Sequence, residues 1–406
     1  MKKLGNYLLT LLFIGFIFGI GAYMQFGEKE EISFYENRTL AKSPELSIEK
    51  VVDASFSKDY ESYFTDHFYE KGEWVKGYIQ WQRLTGQTFI QDYFIDEDDW
   101  IYPKPGTYKN INKTVEYMNE FAEYTRERNI ELMLFSLPNR FLILDPEYPS
   151  HVISGVEFAN KRYFLNQFSK IEGLRVFNLA QTFRDQFTHE ELKDMYYQTD
   201  HHWNVDGAFV GYKTIYNILN EESAYFDEPS FNENEFEKVC YEDEHFLGSY
   251  NRQLYELIET DDAVCTIMPT NFDFNDVEVY KGPIEQQFQV PWTDIYGTGL
   301  NKNQRVVAYG DIFTDDYREF SIINPAKAEV GTKVLFIKDS YANPMTFWLS
   351  QHFYQTTFYD IRHNQDRPLY QYLEENKFDM IVFLYNDTTV FPRMYNFNME
   401  PDSYDF

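Results

Sequence analysis

Asp200, His201, His202 and Trp203 stand together, with Asp206 and Gly207 just beyond. Far downstream, "KVLFIKDSYANP" carries Asp339 and Ser340. A serine hydroxyl is a poor nucleophile until a base removes its proton, and a histidine held by a carboxylate is the usual base. Asp200 and His202 are spaced i, i+2, so an extended segment points both to one side and His201 to the other. Ser340 follows an apolar run at a turn, close to the positive end of a helix dipole. The N–H groups of Ser340 and Tyr341 can then receive an oxyanion. A plain alternative for Ser340 is helix capping, for which Asp and Ser are ordinary residues. Asp200, His201 and His202 also offer metal-ligand atoms. A site needs three or more convergent ligands, and no second His or Cys cluster completes one, so neither metal nor other cofactor is expected.

These groups have to be delivered by a framework. Apolar runs at 130–138, 174–180, 333–340, 355–362 and 378–387 read as strands, and 114–129, 157–171, 205–219 and 368–377 read as helices. Strands alternating with helices imply an α/β fold: three layers, with a parallel sheet covered on both faces. Such sheets bind ligands at the carboxyl ends of their strands. Ser340, Arg362, Asn386 and the pair Asn139 and Arg140 all fall at such ends. From about 228 to 328 short β-like runs are broken by Asn, Asp, Gly and Pro, which reads as a β-rich insertion. "DYFIDEDDWIYPKPG" reads as a short hairpin whose acidic run is a turn, since no EF-hand spacing follows. Residues 56–84 have helical apolar spacing with a break near Gly72, and 28–55 reads as a linker. The expected organisation is an anchor at 1–27, the linker, and one catalytic domain over 56–406.

The formal charge of −30 disfavours phosphate backbones, so no nucleic-acid partner is expected. Leu4 to Phe26 is charge-free and long enough to cross a bilayer, for which about 20 apolar residues suffice. Lys2 and Lys3 before it and an acidic body after it place the N-terminus inside and the body outside the cytoplasm. A cleaved signal peptide is the rival; the length of the run favours an uncleaved single-pass anchor. Cys240 and Cys265 can pair in an exported protein or stay as free buried thiols.

His201 to Gly207 spells H-H-x-x-x-D-G, which resembles the motif of condensation domains and chloramphenicol-acetyltransferase-like enzymes. That chemistry is cytoplasmic, and the second motif, D-F-G-W, is absent. The order "TDHHWNVDGA" then "FIKDSYA" instead resembles the DHHW family of bacterial exported proteins. It is similar more broadly to the SGNH-hydrolase-like polysaccharide O-acetyltransferases AlgJ, AlgX and PatB. The resemblance covers most of the chain and implies that Asp200, His202 and Ser340 are acid, base and nucleophile, with Trp203 packed under the histidine. It also implies an oxyanion donor at Asn386, beside Tyr341 and Arg362. Lys338 departs from the Gly that many relatives carry before the serine block. The implied function is an exported, membrane-anchored O-acyltransferase acetylating a cell-surface polysaccharide, supplied by a membrane-bound O-acyltransferase partner. An esterase with the same triad, or a non-catalytic glycan-binding or assembly protein, are the alternatives. His201 and Asp206 are expected to be dispensable for catalysis.

Overall fold

The computed structural model describes residues 2–26, 29–300, 302, 305–364 and 368–398. Two compact units divide the chain: Met1–Gln91 with Asn251–Glu259, and Asp92–Tyr250 with Thr260–Phe406.

The first unit opens with α1 (Lys2–Phe26), whose window Tyr7–Met24 is long and apolar enough to cross a membrane. α2 (Ser55–Asp66) and α3 (Lys71–Leu84) replace the single broken helix expected over 56–84. The break lies just before Gly72, where Glu70 takes a left-handed φ of 50°. Within the stretch read as a linker, Glu36, Arg38 and Ala41 are bonded to the helices that follow. Asp66 accepts hydrogen bonds from the Arg38 guanidinium and the Ala41 N–H, both at 2.8 Å, and Lys71 pairs with Glu36 at 2.6 Å. These bonds tie the segment to α2 and α3, so the division falls at 91/92 rather than 55/56.

The second unit is built on an eight-stranded sheet. Its strands are β1 (Glu131–Leu137), β2 (Leu174–Asn178), β3 (Glu278–Lys281), β4 (Phe288–Val290), β5 (Glu319–Ile323), β6 (Lys333–Lys338), β7 (Gln355–Tyr359) and β8 (Met380–Asn386). Their spatial order is β4-β3-β5-β7-β6-β8-β1-β2. The five strands from β7 to β2 are parallel, as the alternation predicts. Side chains alternate between two cores because a strand projects successive residues to opposite faces. Val334 and Phe336 face one core with Tyr212 and Ile215 of α6 (Val205–Glu222); Leu335 and Ile337 face the other with Phe121 of α4 (Asn112–Glu127) and Phe164 of α5 (Val156–Phe168). Each such buried side chain contributes about 1.5–3 kcal/mol by transfer from water. The central strands are therefore a stiff platform for whatever follows their carboxyl ends.

The sheet is mixed rather than wholly parallel. β3, β4 and β5, from the segment expected as an insertion, extend it antiparallel, with Phe320 of β5 opposite Phe358 of β7. The physical reason is that β7 would otherwise leave an edge of unpaired N–H and C=O groups, which the incoming chain satisfies. A smaller ribbon, Phe236–Cys240 with Cys265–Pro269, forms a separate sheet packed on the same core and is closed by the Cys240–Cys265 disulfide. The hairpin in "DYFIDEDDWIYPKPG" forms as Tyr93–Ile95 with Ile101–Pro103, its turn held by Asp96 accepting from the N–H groups of Asp98 and Trp100.

Candidate active site

Two segments meet at the carboxyl end of β6. The first is the Asp-His-His-Trp turn, whose shape is set by its flanks. Tyr196 bridges Trp203, and the Asn204 N–H donates to Met195 O at 2.9 Å, so residues 198–201 form the tip of a tight loop. Asn204 then caps α6, accepting from the N–H groups of Asp206 and Gly207 at 3.0 and 3.2 Å. Gly207 is required by packing: a Cβ there would lie 2.4 Å from Met195 O. Asp206 points away and pairs with Lys238 at 2.6 Å. Arg140 braces the loop from beneath, donating through Nη1 to the carbonyls of Tyr197 and Gln198 at 2.8 and 2.7 Å.

At the tip, Asp200 Oδ1 accepts from the His202 backbone N–H at 3.0 Å and stands 2.6 Å from His202 Nδ1. Its Oδ2 accepts from the Ser249 N–H at 2.5 Å. Burial alone would raise the Asp200 carboxyl. The two imidazoles and these hydrogen bonds outweigh it and hold the group well below the usual range. The His202 ring lies flat on Tyr309, centroids 3.7 Å apart and planes 2° from parallel. His202 Nε2 is 2.7 Å from Ser340 Oγ. His201 turns aside and meets Ser249 Oγ through Nδ1 at 2.9 Å.

The second segment is the turn after β6. Asp339 caps it, accepting from the Tyr341 N–H at 3.0 Å, and residues 340–345 wind as a 3-10 turn before the helix Thr346–Ser350 begins. Ser340 thus stands half-exposed between the strand end and the helix. The two segments are locked together: the Trp203 indole N–H donates to Tyr341 O at 2.9 Å, and the Tyr341 hydroxyl donates to His201 O.

Asp200, His202 and Ser340 therefore converge, but other expected placements change. The Tyr341 N–H is already given to Asp339 and does not point at an oxyanion site. The Asn386 amide donates to Asp339 Oδ2 at 2.8 Å and to Thr389 Oγ1 at 3.1 Å; it orders the residue before the serine instead of facing a substrate. Arg362 lies in a charged cluster, bidentate to Asp360 at 2.9 and 2.6 Å and 3.2 Å from Asp316. Asn139 and Arg140, expected at the cleft, are 8% and 1% exposed and act as internal braces. Lys338 is fully buried, its Nζ donating to Asn343 Oδ1 at 2.5 Å and lying 3.6 Å from Asp316. Burial would raise Asp316, but Lys338 and Arg362 outweigh it and hold the carboxyl low.

Among the described residues, two clusters bring possible ligand atoms within 4.8 Å of one another: Asp200, His201 and His202, and Asp316, Asp360 and His363. In the first, both ring nitrogens of His202 already face Asp200 and Ser340. In the second, the Arg362 guanidinium bridges the two carboxylates. The donor sets do not fit a resident cation.

Ser249, Tyr309 and Asp316 are the neighbours that spacing did not reveal. Each lies in the irregular segment between 228 and 328, where no periodicity says which side chain returns to the sheet edge.

Residues 94–259 match a family model described as the SGNH hydrolase-like domain of acetyltransferase AlgX, a stretch that includes Asp200 and His202 but not Ser340. No curated protein sequence matches. The structure of Bacillus cereus PatB1 is similar at 30% identity and a TM-score of 0.67, covering 75% of this chain and 99% of PatB1. A second PatB1 structure, with a sulfonyl adduct, gives 27% identity and a TM-score of 0.65, covering 76% and 100% of the two chains. A DHHW family protein from Eubacterium siraeum shares the fold at 17% identity and a TM-score of 0.55, covering 76% and 96%. With nearly all of PatB1 matched at this identity, the chain belongs to the family of PatB1, and it carries an SGNH hydrolase-like domain of the AlgX acetyltransferase kind.

Proposed function

We propose that this protein is an O-acetyltransferase of the cell envelope that modifies a surface polysaccharide through an acyl-serine intermediate. The observation that carries the reading is the unbroken chain Asp200 Oδ1–His202 Nδ1, 2.6 Å, and His202 Nε2–Ser340 Oγ, 2.7 Å. Asp200 is 2% exposed and accepts the Nδ1 proton, leaving Nε2 as the base facing the serine. Ser340 Oγ gives its proton to Nε2 and attacks the carbonyl carbon of an acyl ester. The carbon–oxygen bond to the donor breaks, and the departing oxygen takes the proton back. A sugar hydroxyl then repeats the sequence in the other direction: it yields its proton to His202, attacks the acyl carbon, and Ser340 recovers a hydrogen. The flat stack on Tyr309 keeps the imidazole in one plane through both halves. No metal enters these steps.

The body works outside the cytoplasm, anchored by α1. The Cys240–Cys265 disulfide is in keeping with an oxidising compartment. The family resemblance adds a partner, a membrane-bound O-acyltransferase that brings the acetyl group across.

The test is to incubate the purified protein with an activated acetyl ester, with and without cell-wall polysaccharide. O-acetylated sugar that forms only with acceptor present is the expected result. Free acetate as the sole product at saturating acceptor would make the protein an esterase instead. Neither product, from folded protein, would remove it from the catalytic class.

A further inference from the structure

The helix α3 (Lys71–Leu84) has more apolar surface than its own unit uses. A helix advances about 100° per residue, so positions i, i+4 and i+7 share a face. Ile79 and Gln82 are buried and form the inward side. Trp74, Tyr78, Trp81 and Leu84 form a second stripe, and they are 58%, 52%, 51% and 86% exposed. Lys76, Gln80 and Arg83 occupy the third side. An ordinary surface helix has one apolar face and one polar face; here the apolar arc runs on from the buried side across the exposed stripe, and Glu73, Lys76, Gln80 and Arg83 fill only the remaining side.

The surplus is not spread over the molecule. Among the described residues, and leaving α1 aside, thirteen large exposed hydrophobic side chains fall between Ile32 and Leu84, against six in the rest of the chain. They belong to the unit that begins with the candidate membrane span, and the end of α1 meets the turn that leads into α3. Tyr23, at the end of the span, packs edge-on against Tyr69 with ring centroids 4.7 Å apart, and Lys29 sits 4.3 Å over the ring of Tyr63. Tyr69 is two residues before α3 begins. The exposed stripe thus begins in the first turn of α3, directly after the segment that meets the end of α1.

We propose that α3 lies in the membrane interface, with Trp74, Tyr78 and Trp81 seated at headgroup depth. Trp and Tyr concentrate at that level because the ring is apolar while its N–H or O–H stays hydrated. Two tryptophans, a tyrosine and a leucine on one face suit an interfacial helix, which buries one side at the boundary of headgroups and acyl chains. Its consequence is a second attachment beside α1, holding the first unit against the bilayer instead of leaving it to swing on a single tether. The proposal rests on α1 spanning the membrane.

Tryptophan fluorescence tests it, because α1 contains no tryptophan. The full chain is reconstituted into phosphatidylcholine vesicles whose acyl chains carry bromine either near the headgroup or near the terminal methyl. Upper-chain bromine is expected to quench the share of emission carried by Trp74 and Trp81, two of six tryptophans, and to do so more than deep bromine. The Trp74→Phe/Trp81→Phe variant, which keeps the apolar face, is expected to lose that quenching. Absence of quenching in protein that resists alkaline extraction overturns the proposal and leaves the anchor standing. If Tyr78→Cys then cross-links between copies, the stripe is a protein interface. Release of the chain by alkaline carbonate overturns the anchor and the proposal together.

Discussion

His202 Nε2 and Ser340 Oγ are 2.7 Å apart although 138 residues separate them in the chain. The contact is held from both sides. Asp200 fixes the far nitrogen of the imidazole, and Trp203 bonds to the carbonyl of the residue after the serine.

Ser340→Ala is expected to lower acetyl transfer by at least 10³-fold, an order of magnitude typical of losing a triad nucleophile. Far-UV dichroism should not change, because Ser340 is only partly buried and the substitution removes a single oxygen atom. Mass spectrometry after exposure to a sulfonyl fluoride should place the adduct on Ser340. Labelling of a different residue would remove Ser340 from the role.

Asp200→Asn should cost roughly 10⁴-fold in kcat with little change in KM, because the amide can hold the ring in the wrong tautomer. A pH–rate profile checks this. A variant that kept wild-type kcat would show that His202 needs no carboxylate partner.

Asn386→Ala separates two readings of the same side chain. An oxyanion donor would cost about 10²–10³-fold in kcat when removed. The amide holds Asp339 instead, so the expected loss is in stability, about 1–3 kcal/mol for weakening the satisfaction of a buried carboxylate, with a smaller change in kcat. Chemical denaturation and steady-state kinetics on one preparation decide between them.

Stability should fall as pH drops below about 6.5. His352 is mostly enclosed beside Tyr212, and desolvation lowers its pKa despite Glu228 nearby. The unfolded chain takes up a proton there before the folded chain does. The stabilisation is thus complete above the unfolded pKa and is lost as pH falls toward the folded one, by at most about 1.4 kcal/mol per pH unit. His352→Gln should flatten the dependence of Tm on pH between 7.5 and 5. An unchanged slope would assign the effect elsewhere.

The elements that carry the site were legible because their signals are local. β1, β6 and β8 are the mostly apolar runs that a buried parallel strand requires. Asp200 and His202 differ by two positions, and the turn at Asp339 and Ser340 follows directly from the strand before it. The candidate oxyanion donors could not be read the same way. Tyr341 and Asn386 occupy the expected sheet edge, but a position on an edge does not say whether an N–H is already spent, and both are given to Asp339.

Residue type and spacing by themselves determined that Asp200 and His202 share one side of a turn, that a strand leads directly into the turn at Ser340, the alternation of strands and helices, and the apolar N-terminal run. Each rests on interactions within a few residues. Tertiary structure alone decided that strands from 278 to 323 close the edge of the sheet, that Ser249 and Tyr309 complete the surroundings of Asp200 and His202, and that Arg140 supports the loop from inside. Those contacts join segments far apart in the chain, and their partners are chosen by unsatisfied backbone edges and buried charges that exist only once the sheet has formed.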